Sequence, residues 1–290
     1  MTQPLRWILL GVVSVVALSA QQQKGSDWDF QDLAWSPDGK YLTFTGIHEN
    51  VYRIYKVATK GDSAPVPLVE TEGNQIGSTW SPDGKRIAFA AGQKGKYGIF
   101  VVDAKGKGIT QIVDDGSTPS WSPDGKKIAY NAKINGKYQI CVVDPDGRNQ
   151  RALTDTAANN FNPSWSPDNK YIIFEADRDQ DDKDELYRIG ADGSGEILIK
   201  REDANLVYPS YSPDGEKVLY AAVKNRNVDA YIADANGENS RLLKTHASHV
   251  RWSKKAGLLA AIEYDDNRVR ELYLSKPDGS NRVAVTKLNH

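Results

Sequence analysis

Trp121-Ser122-Pro123-Asp124-Gly125-Lys126 is a stretch that this chain of 290 residues repeats. It returns from Trp35, from Trp80 and from Trp165, where Asn169 takes the glycine slot. It returns again from Tyr211, with Glu216 last, and in altered form from Trp252 as Trp-Ser-Lys-Lys-Ala-Gly. The six starts lie 45, 41, 44, 46 and 41 residues apart. A period near 40–45 residues marks a repeat architecture. Each copy has the chemistry of a hairpin turn. Proline presets φ at the second position, aspartate suits the third, and glycine takes the left-handed fourth. Asparagine is the best replacement in that slot.

The residues around the turn complete the unit. Five of the seven tryptophans occupy the slot that ends the strand before the turn, so the ring is a packing device. An apolar run follows each turn (41–44, 86–89, 127–130, 171–174, 217–220 and 258–261) and reads as a second strand. Third strands are expected at 51–57, 97–103, 138–144, 185–189, 228–234 and 269–275. More polar fourth strands are expected at 66–69, 109–113, 151–154, 196–199, 241–243 and 282–285. Four short antiparallel strands repeated six times predict an all-β, six-bladed β-propeller. It should close by packing of blade on blade, with no strand borrowed from the N-terminus.

The composition limits what the propeller does. Thirty-seven basic and 38 acidic residues are interleaved, with a net charge of −1. That excludes the basic stripe a nucleic-acid partner requires. Residues 1–20 carry Arg6, then the apolar run 7–20 and small residues, and read as a secretory signal cleaved after Ser19 or Ala20. The run is short for a membrane span, so none is expected once the signal is removed. Residues 21–30 read as a linker and 31–290 as the propeller. The single Cys141, in a third strand, reads as a small buried hydrophobe.

The repeat resembles the TolB family of WD40-like Pro-Asp repeat proteins. The resemblance rests on the turns at Trp35, Trp80 and Trp121, the strand Ile87-Ala88-Phe89, the turn Val143-Asp144-Pro145-Asp146-Gly147, and Leu153-Thr154. It implies an exported, non-enzymatic propeller, periplasmic or secreted. Such a propeller binds a protein or glycan partner of the cell envelope, and in the family's namesake that partner is a peptidoglycan-associated lipoprotein. The namesake carries a mixed α/β domain ahead of its propeller, for which 21–30 leaves no room. Some lyases with similar repeats hold a metal on rim histidines, so the alternative is a metal-dependent, carbohydrate-active enzyme.

The expected recognition surface follows from topology. The position three before each turn aromatic should ring the channel mouth on the face opposite the Pro-Asp-Gly turns. It holds Asp32, Gly77, Thr118, Asn162, Tyr208 and His249, and it varies where the packing slots repeat. His48, His246 and His249 are expected on the same rim and, with Asp32, offer ligands of the kind a divalent metal takes. Arriving from separate loops, they read first as ordinary rim histidines. Asp177, Asp179 and Asp181 alternate as in a calcium loop. The mid-loop glycine and final bidentate glutamate of an EF-hand are missing. A solvated charge run is the plainer reading, and no cofactor is predicted. No Gly-x-Ser-x-Gly elbow, Walker loop or HExxH helix occurs, and the turn aspartates recur one per blade, as turn formers do. No catalytic residue is assigned.

Overall fold

The structure is a computed structural model that describes residues 28–60, 64–93, 95–265 and 270–285. The expected signal, the linker as far as residue 27, the turn residue Gly61 and the last five residues lie outside that set. Among the described residues there are six sheets, each of four antiparallel strands in sequential order. The innermost strands are Trp28–Trp35, Asn74–Trp80, Ser117–Trp121, Asn160–Trp165, Asn205–Tyr211 and Ala247–Trp252. The first of them begins inside the expected linker. Trp28, Asp29 and Phe30 pair with His48, Ile47 and Gly46 of the same blade, so the propeller starts at 28 and not at 31.

The turn is held by its serine as well as its aspartate. The Ser36 hydroxyl donates to Asp38 Oδ1 at 2.7 Å and accepts from Tyr41 N at 2.9 Å, while Lys40 N donates to the same carboxylate oxygen at 3.1 Å. Asp83, Asp168 and Asp214 repeat this with Ser81, Ser166 and Ser212. Those serine bonds hold the four carboxyls below the usual carboxylate range. Asn169 takes the left-handed slot with φ 63°. The altered sixth turn still forms: Ala256 N donates to Ser253 Oγ at 3.0 Å, and Gly257 has φ 61°.

The apolar side chains bury between blades. Each of the six neighbouring pairs shares a core, for instance Trp165, Ile172 and Phe174 of blade four against Ala129, Ile140 and Val142 of blade three. The ring closes in the same way. Phe30, Leu33, Leu42 and Phe44 of blade one pack on Ala260, Ile262, Leu272 and Leu274 of blade six. Arg270 pairs with Asp29 at 3.0 Å. Trp35 donates its indole N–H to Arg251 O at 3.0 Å across this junction, as Trp165 does to Ser120 O at 3.1 Å. Trp35 and Trp165 are therefore interblade clamps, as is Trp80, which donates to the Thr43 hydroxyl at 3.1 Å.

Fourth strands are often shorter than expected: Val66–Pro67, Arg151–Ala152 and Val283–Ala284 have two residues each. Beyond them Leu68, Val69, Leu153 and Thr154 are buried, and Leu68 and Leu153 still donate their N–H to Ile54 O and Ile140 O of the third strands. Cys141 is buried beside Tyr130, and burial pushes its thiol up to about 11.

Candidate functional site: the hub

Every innermost strand carries a β-bulge at one place, the position three before the turn aromatic. There Asp32, Gly77, Thr118, Asn162, Tyr208 and His249 all have φ between 48° and 58°. A bulge residue in the left-handed region bends the strand and re-aims its side chain. Glycine and asparagine suit that region, while a threonine or tyrosine is strained in it. Five of the six positions nevertheless carry a side chain, and these converge around the propeller axis.

The cluster they form is buried and polar. Asp32 Oδ2 accepts from Gly77 N at 3.0 Å and from the Thr45 hydroxyl at 3.3 Å. His249 Nε2 lies 3.7 Å from Asp32 Oδ1, and its ring stacks on Tyr208 with centroids 3.7 Å apart. Asn162 donates to Glu175 Oε1 at 2.8 Å, and Tyr208 N donates to the same oxygen. The Thr118 hydroxyl donates to Asn131 Oδ1. Arg251 reaches in from blade six and donates to the carbonyls of Tyr208 and Val250, each at 3.1 Å.

This corrects the expected geometry in two respects. Tyr208 and His249 are each only 5% exposed and the other four are half-buried, so the six residues are not a solvent rim. Asp32, Gly77, Thr118, Asn162 and Tyr208, with His249 packed behind Tyr208, form the floor of a cavity of about 290 Å³ whose lining runs up the innermost strands to Pro37, Pro82, Pro123, Pro167, Pro213 and Lys254. The cavity therefore has its mouth on the face of the Pro-Asp-Gly turns, opposite to the face expected from topology.

The histidines do not gather either. His48 ends the second strand of blade one, beside the turn on the other face. His246 stacks on Tyr264 and donates its backbone N–H to Asp229. His249 is in the hub. Among the described residues, the three acids Asp177, Asp179 and Asp181 are the set whose ligand atoms come within 4.8 Å of one another. Their carboxylates already have partners: Asp177 accepts from Asp181 N and Asp182 N, Arg201 pairs with Asp179, and Lys183 pairs with Asp181.

Ser248, His249 and Asp32 line up as a hydroxyl, an imidazole and a carboxyl, with Ser248 Oγ 3.0 Å from His249 Nδ1. Ser248 is buried and does not line the cavity, so its hydroxyl lacks the access a nucleophile needs. Two hub residues have no counterpart among the expected ones. Glu175 faces slots filled elsewhere by Thr45, Ala90, Asn131, Ala221 and Ile262. Arg251 stands where the other blades have Ala34, Thr79, Ser120, Ser164 and Ser210. A charge in an otherwise small or neutral slot was the legible signal for both.

Burial dominates the titration of the hub. It raises the Glu175 carboxyl well above its ordinary value of 4.5, with Asp184 adding to the shift. The folded state then holds a proton that the unfolded chain releases. The stabilising effect is complete below pH 4.5 and is lost as pH rises through the folded value. His249 has the opposite sign. Burial, then Arg251 and Arg270, holds it neutral, well below its ordinary 6.5. Stability from His249 is therefore present above pH 6.5 and is lost as pH falls through the lower folded value. Glu175→Gln keeps the acceptor oxygen and removes the proton exchange. Its thermal midpoint is expected to fall less than that of the wild type between about pH 5 and about pH 8. Parallel midpoint curves for the two proteins would show that Glu175 does not hold the proton.

The model of the TolB beta propeller domain matches residues 113–290. No curated protein is matched by the sequence. Among solved structures, the putative TolB from Agrobacterium tumefaciens has 25% identity and a TM-score of 0.68, covering 76% of this chain and 83% of its own. TolB from Acinetobacter baumannii has 20% identity and a TM-score of 0.69, covering 94% and 68%. An oligogalacturonate lyase in complex with manganese has 18% identity and a TM-score of 0.61, covering 89% and 77%, and shares the fold. With more than half of its length matched and six four-stranded blades around one hub, the chain belongs to the TolB beta propeller domain family.

Proposed function

We propose that this protein is an exported, non-enzymatic propeller that binds a protein partner of the cell envelope at the mouth of its hub. The observation that carries this reading is the cavity itself. Its floor carries Asp32, Thr118, Asn162 and Tyr208 in the left-handed region, where threonine and tyrosine are strained, and its wall is a ring of prolines. A strained threonine and tyrosine kept at this place point to use. A concavity that combines apolar surface with convergent polar groups is the usual form of a binding site, and this one mixes prolines with serines, Asp32, Asn162 and Arg251. The resemblance to the TolB family, whose namesake binds a lipoprotein, supports a protein ligand over a small molecule, and the signal read at 1–20 supports export to the periplasm or beyond.

The test is affinity capture from an envelope extract. Pro213 is exposed at the mouth. Pro213→Trp is expected to reduce recovery of the captured protein at least about tenfold, equivalent to about 1.4 kcal/mol of binding. Val66→Ser, on an outermost strand, is expected to leave recovery unchanged. Equal capture by Pro213→Trp and the wild type would remove the hub from the interaction. Metal content separates this reading from a lyase: a stoichiometric divalent ion on the purified protein would favour the enzyme.

A further inference from the structure

In five blades the cavity wall has no cation, and blade one places the Asp32 carboxyl on the floor; blade six is cationic. Two residues after the turn aromatic, the first five blades carry proline; blade six carries Lys254. One residue before the aromatic they carry alanine, serine or threonine; blade six carries Arg251. Both cations line the cavity, one at its mouth and one at its floor. Blade six is also the one whose turn lacks aspartate, so the compensation seen in other turns is missing. Lys40, Lys126 and Lys170 sit 3.6, 3.8 and 3.7 Å from Asp38, Asp124 and Asp168.

Arg251 has unspent capacity. Its hydrogen bonds run from Nη1 to two backbone carbonyls, and among the described residues no ion pair includes it. Asp32 and Glu175 act on its charge from farther away. Their own bonds go to Gly77, Thr45, Asn162 and Tyr208. A guanidinium has five N–H donors, and the edge formed by Nε and Nη2 is the one that takes a carboxylate in a bidentate fork. Arg251 is half-buried and lines the cavity, so that edge is within reach of a ligand.

We propose that the hub cavity is a carboxylate site, in which Arg251 and Lys254 hold an acidic side chain or the chain terminus of the protein partner. The proposal rests on the partner-binding reading above and names the group recognised. Two cations on one wall, with the Asp32 carboxyl on the floor, suit a single carboxylate more than a polyanion, which would need an extended basic field. The proline ring gives the remainder of an inserted peptide an apolar wall.

The test uses acetylated tetrapeptides with a free C-terminal carboxylate, the same peptides as C-terminal amides, a pair with aspartate or asparagine inside, and glucuronate. Binding is followed by calorimetry with the full-length protein. The carboxylate forms are expected to bind at least about tenfold more tightly than the amide and asparagine forms. Lys254→Gln and Arg251→Lys are each expected to remove most of that preference. Lys254 is exposed, so its variant reads the site even if Arg251→Lys destabilises the hub. Competition by glucuronate that depends on the same two residues would support the site with an acidic sugar as its source. Equal binding of carboxylate and amide forms, a preference unchanged in both variants, or no binding of any probe would overturn the proposal. None of these three results would undo partner capture that is sensitive to Pro213→Trp.

Discussion

Phe30→Ala is expected to lower the stability of the folded chain by about 3–4 kcal/mol. The ring is 2% exposed and sits edge-to-face against Phe44, with centroids 5.4 Å apart. Both belong to the core that joins blade one to blade six. Removing the ring leaves a cavity at the seam where the two ends of the repeat array meet. In a chain of this size the thermal midpoint is expected to fall by about 5–10 °C. The location of the damage is the more specific readout. In a repeat protein each unit is stabilised by its neighbours, so opening the seam should expose blades one and six to protease before the others. Phe89→Ala, fully buried between blades one and two, serves as the comparison. It is expected to cost a similar amount without favouring cleavage at the terminal blades. Identical cleavage patterns for the two variants would show that the ring does not depend on this seam.

Gly237→Ala is expected to cost about 3 kcal/mol, in two parts of different origin. Gly237 has φ +85°, where a Cβ atom is strained. A Cβ there would also stand 1.9 Å from Ile199 O, a backbone atom of the preceding blade that has little room to move. The contact is part of the repeat, since Gly106 approaches Leu68 O in the same way, at 2.0 Å. Gly279 separates the two parts. It has φ +83° with nothing within 4 Å of the added atom, so Gly279→Ala should carry the conformational cost alone, about 1 kcal/mol. Urea unfolding of the two variants gives the difference directly. Equal losses would mean that the blades give way at this contact.

The blade plan was legible because its determinants are local. A Ser-Pro-Asp-Gly turn takes one shape wherever it occurs, and Trp121 or Trp165 ends the strand before it. Counting back three residues reached the hub set of Asp32, Thr118, Asn162, Tyr208 and His249. The depth of those residues was not legible. They lie in bulged strands, and a bulge leaves no mark in the sequence when its left-handed residue is threonine or tyrosine instead of glycine. The mouth was placed on the wrong face for the same reason. Bulges and side chains fill the axis at one level, and only their packing shows which end stays open. Arg251 and Glu175 carry no motif of their own, since each stands beside a packing residue, Trp252 and Phe174.

The sequence by itself determined the number of blades, their four strands, the turn at each junction and the family, because turn stereochemistry, strand alternation and a fixed period act over a few neighbouring residues. The tertiary structure alone decided what the hub is. Asp32, Glu175, Tyr208, His249 and Arg251 come from blades one, four, five and six. Their burial, their shifted protonation and the unpaired edge of the arginine arise only when ring closure brings those blades around one axis and removes water from between them.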